Sequence, residues 1–302
     1  MRTSRLLFGV LGLLLLITSF ANADTAYLTG SAGIYSWDTT SNSVTALPGS
    51  PTGLDSLIFD STGSNIIFSQ ISSNAVGTYN LSTHVTTILN PNAGSGVADM
   101  ALDPSGTSFL VSDAFSTTIK RVDVTTGAIL NNFNEGLRPD GLTYDNAGNL
   151  FAVLNTNEIA QLDPITGAIL KVHAAPGGCG TADGLTFDAV TNKLYMSCDV
   201  SGGFATFDTG LTTVTYTALS FSPDGLASLG NTLYFAQRGA AGVQYDLTTG
   251  LVTDSVSIPG ADDIAPLAGL GSPNPTPEPS SLVLLGTGIA GAIGTLRRKR
   301  EK

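Results

Sequence analysis

Apolar and polar positions alternate over short runs through the middle of the chain, and turn residues separate the runs. The pattern is clearest in residues 138–173. Its four runs are Gly141–Asp145, Asn149–Leu154, Glu158–Leu162 and Ala168–Val172. A period of two over such lengths is typical of half-buried β-strands, and turns such as Asn146-Ala147-Gly148 favour antiparallel hairpins. The segment therefore predicts four antiparallel strands, a unit too small to bury its own faces.

This unit recurs along the chain. An Asp before the first strand appears at intervals of 44, 41, 43, 41 and 39 residues, at Asp55, Asp99, Asp140, Asp183, Asp224 and Asp263. An apolar residue followed by Asp or Asn closes each third strand, at Trp37, Tyr79, Val122, Leu162, Phe207 and Tyr245. A repeat of about 42 residues with four strands is the size of one blade of a β-propeller. Six landmarks of each kind predict six blades.

The ends of this region predict how the ring closes. Residues 25–47 match strands two, three and four of a blade, and residues 263–268 match a first strand with nothing after it. We expect Asp263–Leu267 to lie beside Ala26–Thr29, which completes the last blade and removes the open edge. The predicted fold is all-β, a six-bladed β-propeller over residues 24–270.

The first 23 residues have the features of a signal peptide. Arg2 and Arg5 precede the apolar run Leu6–Ile17, and Ala21-Asn22-Ala23 forms a cleavage site. A retained membrane helix is the alternative. Both interpretations predict export of the following residues. If the signal peptide is cleaved, which is the preferred interpretation, the mature chain begins at residue 24.

A second signal follows the repeats. The Pro-rich linker 271–276 leads to Pro277-Glu278-Pro279, and Ser280–Leu296 carries no charge before the cluster Arg297-Arg298-Lys299-Arg300. Seventeen residues of helix span about 25 Å, which is short for a bilayer core of about 30 Å but sufficient with snorkelling arginines. Basic residues after the helix keep that end in the cytoplasm and place the repeats outside.

The segment 277–302 resembles the PEP-CTERM sorting signal of Gram-negative bacteria in its tripeptide, its short single membrane helix and its basic tail. The resemblance implies recognition by an exosortase-type processing enzyme, transient anchoring by the C-terminal helix, and delivery to the cell surface or the extracellular matrix. A permanent single-pass anchor is the alternative.

Charge limits the partners. The whole chain has a net charge of −11, from 24 acidic and 13 basic residues. Both predicted signals together hold seven of the basic residues and two of the acidic ones, so the remaining body carries about −16. The six basic residues that remain are too few beside 22 acidic ones to neutralise phosphates, which argues against nucleic acid as a partner. Cations or solubility are better reasons for the acidity.

The Pro-Asp-Gly-Leu-Thr-Tyr-Asp-x-x-Gly-Asn-Leu-Phe unit at 139–151 resembles the repeat of NHL and gluconolactonase-type propellers, and its Thr-Gly turn resembles YVTN-type surface propellers. First strands line a propeller's channel, so the six Asp that head them form a candidate ring of metal or ligand sites that would suit Ca²⁺. The preferred interpretation is structural: each carboxylate accepts backbone N–H groups and joins neighbouring blades.

The gluconolactonase resemblance also implies an enzyme alternative. Those enzymes place a metal-binding Asp at the Pro-Asp-Gly position, which Asp140 or Asp224 matches here. They also need a Glu from an early strand, and the only Glu residues of the body, Glu135 and Glu158, lie near the third blade. The metal set is therefore incomplete, and a metal-dependent hydrolase is the second choice. No catalytic residue is predicted, because His84 and His173 lie near no nucleophile motif.

Cys179 and Cys198 are the only cysteines. Export places them in an oxidising compartment, and a hairpin returns the end of the second strand to the loop that holds Cys179, so we expect a disulfide. Metal binding by the pair is the alternative.

The leading hypothesis is an exported, non-enzymatic binding or scaffold module that contacts a cation, extracellular polysaccharide or surface proteins. A purely structural surface protein is a third class. A localised function is expected where a blade departs from the repeat, as at the Cys179 loop.

Overall fold

The computed structural model describes residues 25–134, 136–155 and 157–266, which contain 24 β-strands. The strands form six sheets of four antiparallel strands each. The first strands of the six sheets contact one another in a closed cycle, so the sheets are arranged around one axis. This confirms the predicted six-bladed β-propeller.

The blades are numbered in chain order. Blade 1 comprises β4 (Leu57–Phe59), β5 (Asn65–Gln70), β6 (Ala75–Asn80) and β7 (Thr86–Asn90). Blade 2 comprises β8 (Val97–Leu102), β9 (Ser108–Asp113), β10 (Thr118–Asp123) and β11 (Ile129–Asn134). Blade 3 comprises β12 (Pro139–Tyr144), β13 (Leu150–Leu154), β14 (Glu158–Leu162) and β15 (Ile169–Ala174). Blade 4 comprises β16 (Ala182–Asp188), β17 (Lys193–Cys198), β18 (Gly203–Asp208) and β19 (Val214–Ala218). Blade 5 comprises β20 (Pro223–Leu229), β21 (Thr232–Gln237), β22 (Ala241–Asp246) and β23 (Leu251–Ser257). Blade 6 comprises β24 (Ile264–Pro266), β1 (Thr25–Gly30), β2 (Gly33–Asp38) and β3 (Ser43–Ala46).

Blade 6 is assembled from both ends of the described region. Its strand order is β24-β1-β2-β3, and Leu28 pairs with Ile264 while Ala26 pairs with Pro266. The predicted pairing is thus confirmed for the described part of the segment. The ring has no open edge between its first and last blades, which removes a template for pairing with another chain.

The hydrophobic core lies between blades rather than within one sheet. Phe151 and Val153 of blade 3 pack with Leu185 and Met196 of blade 4 in one buried cluster. This interleaving is what the apolar alternation of the strands requires, because a single twisted sheet cannot cover both of its faces.

The aromatic residues that close the third strands are part of this core. Trp37 of blade 6 is fully buried and meets Tyr234 of blade 5 edge to face, with 6.2 Å between ring centroids. Tyr79 and Phe207 are also fully buried, and Tyr245 meets Phe204 of the preceding blade edge to face. Their repetition therefore serves packing between blades.

The Asp at the end of a third strand builds a turn. Asp123 Oδ1 accepts hydrogen bonds from the backbone N–H groups of Thr125 and Thr126, at 2.9 and 2.7 Å. Asp163 and Asp246 make the same pair of bonds. These bonds to the charged form lower the pKa of all three carboxyls. The turn Asp residues are thus accounted for by local structure.

Several predicted segments lie outside the described residues. They are the signal peptide 1–23, the linker 271–276, the sorting segment 277–302 and Glu135. Among the residues that are described, none belongs to a helix with the length and apolarity needed to cross a bilayer.

Candidate functional site

One mouth of the channel is a cavity of about 140 Å³, lined by residues from all six blades. All six Asp residues singled out from the repeat line it, and Asp262 joins them. Two arginines, Arg138 and Arg238, are the basic residues of the lining. Seven carboxyl groups therefore face two guanidinium groups in a small volume.

The strand pairing divides these acids into two sets. In each blade one first-strand residue pairs with the second strand at an equivalent place, and these six residues are Leu57, Met100, Leu142, Leu185, Leu226 and Ile264. We call the position two residues earlier the ring position, which holds Asp55, Ala98, Asp140, Asp183, Asp224 and Asp262. We call the position one residue earlier the lock position, which holds Ser56, Asp99, Gly141, Gly184, Gly225 and Asp263. Asp99 and Asp263 thus stand one residue out of step with the other four predicted acids.

The two lock acids join neighbouring blades. Asp99 Oδ2 accepts the backbone N–H of Leu142 in blade 3 at 2.7 Å, and its Oδ1 accepts the Ser56 hydroxyl of blade 1 at 2.9 Å. Asp263 Oδ2 accepts the backbone N–H of Leu57 at 3.0 Å, so blade 6 is tied to blade 1. Burial raises the pKa of both carboxyls, and repulsion between them raises that of Asp263 further.

Glycine at the lock position allows adjacent first strands to touch backbone to backbone. A Cβ added at Gly141 would lie 2.3 Å from the carbonyl oxygen of Asp183. A Cβ at Gly225 would lie 2.0 Å from Oδ1 of Asp263. The lock position therefore holds glycine where two strands meet directly, and a polar side chain where one strand reaches across to the next.

The ring acids have a different environment. Among the described residues no backbone N–H donates to the carboxylate of Asp55, Asp140, Asp183 or Asp224. Burial raises the pKa of Asp55, Asp140 and Asp183 well above the usual value, and neighbouring carboxylates raise it further. Burial and the nearby Asp262 raise the pKa of Asp224 to about 8. These groups repel one another and lack the local donors that hold the turn Asp residues ionised.

Arg238 is the principal counter-charge. It follows β21, and its Nε donates to Asp224 Oδ2 at 3.0 Å while its Nη1 donates to Asp199 Oδ2 at 2.5 Å. Arg138 is farther from its partner, with 3.4 Å between Nη2 and Asp140 Oδ2. Carboxylate oxygens of Asp183, Asp199 and Asp224 all lie within 4.8 Å of one another, which is close enough to share one cation.

Asp199 belongs to the site although the repeat did not point to it. It directly follows Cys198 at the end of β17, where Arg238 stands in blade 5 and Ala114 in blade 2. The available sequence signal was that the residue at this place differs from blade to blade and, in blade 4, lies beside one of the two cysteines. Recognising it requires knowing which strand ends meet at the cavity.

Cys179 and Cys198 form the expected disulfide, with 5.0 Å between their Cα atoms. The bond ties the loop before β16 to the end of β17, and Asp199 N–H donates to the Thr181 carbonyl in the same loop. Both cysteines are buried. The disulfide therefore fixes the backbone on which Asp199 is mounted.

The two histidines lie away from the cavity lining. His84 Nδ1 is 2.8 Å from the hydroxyl of buried Tyr79. His173 Nδ1 is 2.7 Å from the carbonyl oxygen of Ala174, and its ring meets Phe207 edge to face. Both side chains support neighbouring structure.

Residues 275–300 match the sequence profile described as the PEP-CTERM protein-sorting motif. The chain carries a PEP-CTERM sorting signal. The motif implies export and processing by an exosortase-type enzyme, consistent with a location at the cell surface. The match covers the C-terminal segment and leaves the activity of the propeller open. No curated protein matches the chain.

Solved structures share the fold. A chain from the crystal structure of a nidogen/laminin complex is 19% identical, with 82% of this chain and 99% of that one covered and a TM-score of 0.71. A protein of unknown function from Bacteroides caccae is 17% identical, with 81% and 99% covered and a TM-score of 0.66. Virginiamycin B lyase from Staphylococcus aureus is 18% identical, with 70% and 71% covered and a TM-score of 0.53. At such identities the likeness concerns the fold alone.

Proposed function

We propose that this exported propeller is a non-enzymatic binding module of the cell surface, and that its channel mouth holds a divalent cation of the Ca²⁺ class. One observation carries the proposal: ring acids from several blades converge on one cavity and have no backbone donors to neutralise them. Such carboxylates are stabilised either by protons or by a cation.

The donor set fits a hard cation. Ca²⁺ takes six to eight oxygen ligands and tolerates irregular geometry. Asp183, Asp199 and Asp224 would supply the first carboxylate oxygens, since these are already grouped. Asp55 and Asp140 line the cavity together with Asp183 and Asp224 and add negative charge. A cavity of about 140 Å³ leaves room for water ligands beside the ion.

A cation at this mouth would give the protein a fixed positive centre on a strongly acidic body. Such a centre binds carboxylate or hydroxyl groups of a partner, which suits extracellular polysaccharide or acidic segments of surface proteins. A chain of the nidogen/laminin complex shares the fold, which is compatible with a role in binding.

Metal analysis of the full-length protein tests the proposal. After dialysis against buffer with trace Ca²⁺, we expect one divalent ion for each chain in wild type and none in the variant Asp183→Asn/Asp224→Asn. Asp254→Asn on β23, outside the cavity lining, is the matched control and should retain the ion. Absence of the ion from wild type at millimolar Ca²⁺ would overturn the proposal.

The hydrolase alternative shares the metal and differs in turnover. Among the described residues the one glutamate, Glu158 on β14, does not line the cavity. The proposed module is therefore expected to hydrolyse lactones no faster than buffer, and turnover that disappears in Asp224→Asn would establish the enzyme instead.

A further inference from the structure

The guanidinium group of Arg238 occupies a position among the carboxylates that a free cation would also take. It contacts Asp224 at 3.0 Å and Asp199 at 2.5 Å, two of the three acids whose oxygens are grouped closely enough for a shared ion. Both carboxylates belong to buried residues. Their principal positive partner is thus a side chain of the same protein.

The arginine can leave this position without disturbing the core. Its side chain is 59% exposed, whereas those of Asp199 and Asp224 are 4% and 5% exposed. Asp224 lies on β20, and Asp199 directly follows β17, where the neighbouring disulfide and the bond to the Thr181 carbonyl fix its backbone. Rotation of one long side chain therefore opens the position, while the ligands stay in place.

We infer that Arg238 is a tethered competitor, which fills the cation position in the ion-free protein and moves into solvent when a divalent ion binds. This inference rests on the proposed cation site and adds its regulation. The exchange is favourable only if another cation arrives, because two buried carboxylates without a partner would be costly. Arg238 thereby sets a threshold of cation concentration below which the mouth remains closed by its own side chain.

The alternative role for Arg238 is to orient Asp199 and Asp224 for the ion. In that case its removal weakens binding, because the ligands lose their alignment. The competitor role predicts the opposite sign. The direction of the change in affinity therefore separates the two roles.

Calorimetric titration of the full-length protein with CaCl₂ tests the inference. Wild type is compared with Arg238→Gln, Arg238→Lys and the control Lys171→Gln. The control makes the same change of charge on the outer strand β15. We expect Arg238→Gln to bind Ca²⁺ about tenfold more tightly or better, since a positive charge within hydrogen-bonding distance is removed from the site. Arg238→Lys and Lys171→Gln are expected to stay within about threefold of wild type.

The outcomes for the site and for the arginine are distinct. Binding of Ca²⁺ by wild type with equal or weaker binding by Arg238→Gln overturns the competitor role and leaves the site intact. Absence of binding in every variant, including Arg238→Gln, overturns the site itself. Thermal unfolding of each variant is recorded alongside, and Arg238→Met, which also removes the charge, takes the place of Arg238→Gln if that variant fails to fold. A structure with bound ion and Arg238 still on Asp199 would also contradict the exchange.

Discussion

Asp113 accepts two hydrogen bonds from Ser95, one from its backbone N–H and one from its hydroxyl, both at 2.8 Å. In the ladder of blade 2, Asp113 stands where Cys198 stands in blade 4, opposite the residue that precedes the bulge. Ser95, like Cys179, lies in the loop that enters the blade. Blade 1 uses a third solution, in which the Gln70 side chain donates to the Thr52 carbonyl at 2.8 Å. The loop that enters the blade is thus tied to the end of the second strand by hydrogen bonds to a carboxylate in blade 2, by a disulfide in blade 4 and by an amide hydrogen bond in blade 1.

Because these positions in blades 2 and 4 correspond, we expect that a disulfide can also be formed in blade 2. In Ser95→Cys/Asp113→Cys we expect a second disulfide, which closes a separation of 18 residues and stabilises the oxidised protein over its reduced form by about 3 kcal/mol. Peptide mapping without reduction identifies the bond, and urea unfolding gives the difference in stability. The single variant Ser95→Cys is the control. Failure of the two cysteines to pair under oxidising conditions would show that the two entry loops differ in geometry.

The two sets of acids predict opposite effects of the same substitution. Asp99→Ala leaves the Leu142 N–H and the Ser56 hydroxyl without their acceptor, so the free energy of unfolding should fall by about 2 to 3 kcal/mol. Asp140→Ala removes a buried carboxyl whose neighbours repel it, so stability should be unchanged or higher. Urea titrations at pH 7.5 with a chelator present measure both. Equal destabilisation by the two substitutions would contradict the division into lock and ring positions.

Glycine at the lock position gives a steric prediction. The Cβ of Gly141→Ala would meet backbone atoms of Asp183 and Leu185 in blade 4, so one strand has to move, at a cost of about 3 kcal/mol. Gly177→Ala is the matched control, because an added Cβ there meets nothing within 4 Å. Its stability should stay within about 0.5 kcal/mol of wild type. Similar melting temperatures for the two variants would refute the close contact between first strands.

The raised pKa values of the ring acids predict that stability falls as pH rises. Asp55, Asp140 and Asp183 have pKa values well above 3.8 in the folded protein, and Asp224 has one of about 8. Between the unfolded and folded pKa values the native state binds more protons, so the stabilisation is complete below about pH 4 and is lost as pH rises through the folded values. Chemical unfolding from pH 5 to 8.5 with a chelator should show this decline, and Asp224→Asn should lessen it. A stability that rises across this range would contradict the assignment.

The repeat made the fold predictable, whereas the site depended on register. Spacing alone revealed the blade number and the closure of blade 6, because each landmark marks a turn that the backbone needs. The landmark Asp does not reveal which of two successive positions it occupies, so the sequence does not distinguish Asp99 and Asp263 from Asp140. The bulge in the first strand places an extra residue there, and a shift of one position changes the face on which a side chain lies.

The contact between Asp199 and Arg238 could not be predicted from the sequence, for a different reason. Each follows a second strand in a different blade, and neither belongs to the repeated pattern. Their contact exists only because adjacent blades bring the two strand ends to one mouth. Such contacts are determined by how the blades are arranged around the axis, which the repeated sequence pattern does not show.

The pairing of β24 with β1 also determines when the propeller can be completed during synthesis. Of the described strands, β24 is the last to leave the ribosome and the one that joins the last blade to the first. Until residue 266 has emerged, the blades form an open array, and β1, the first of the described strands to be made, pairs with residues 234 to 240 positions later. A chain that finishes its fold this late can be held unfolded for transport, and completion of the ring is then a final event on the far side of the membrane.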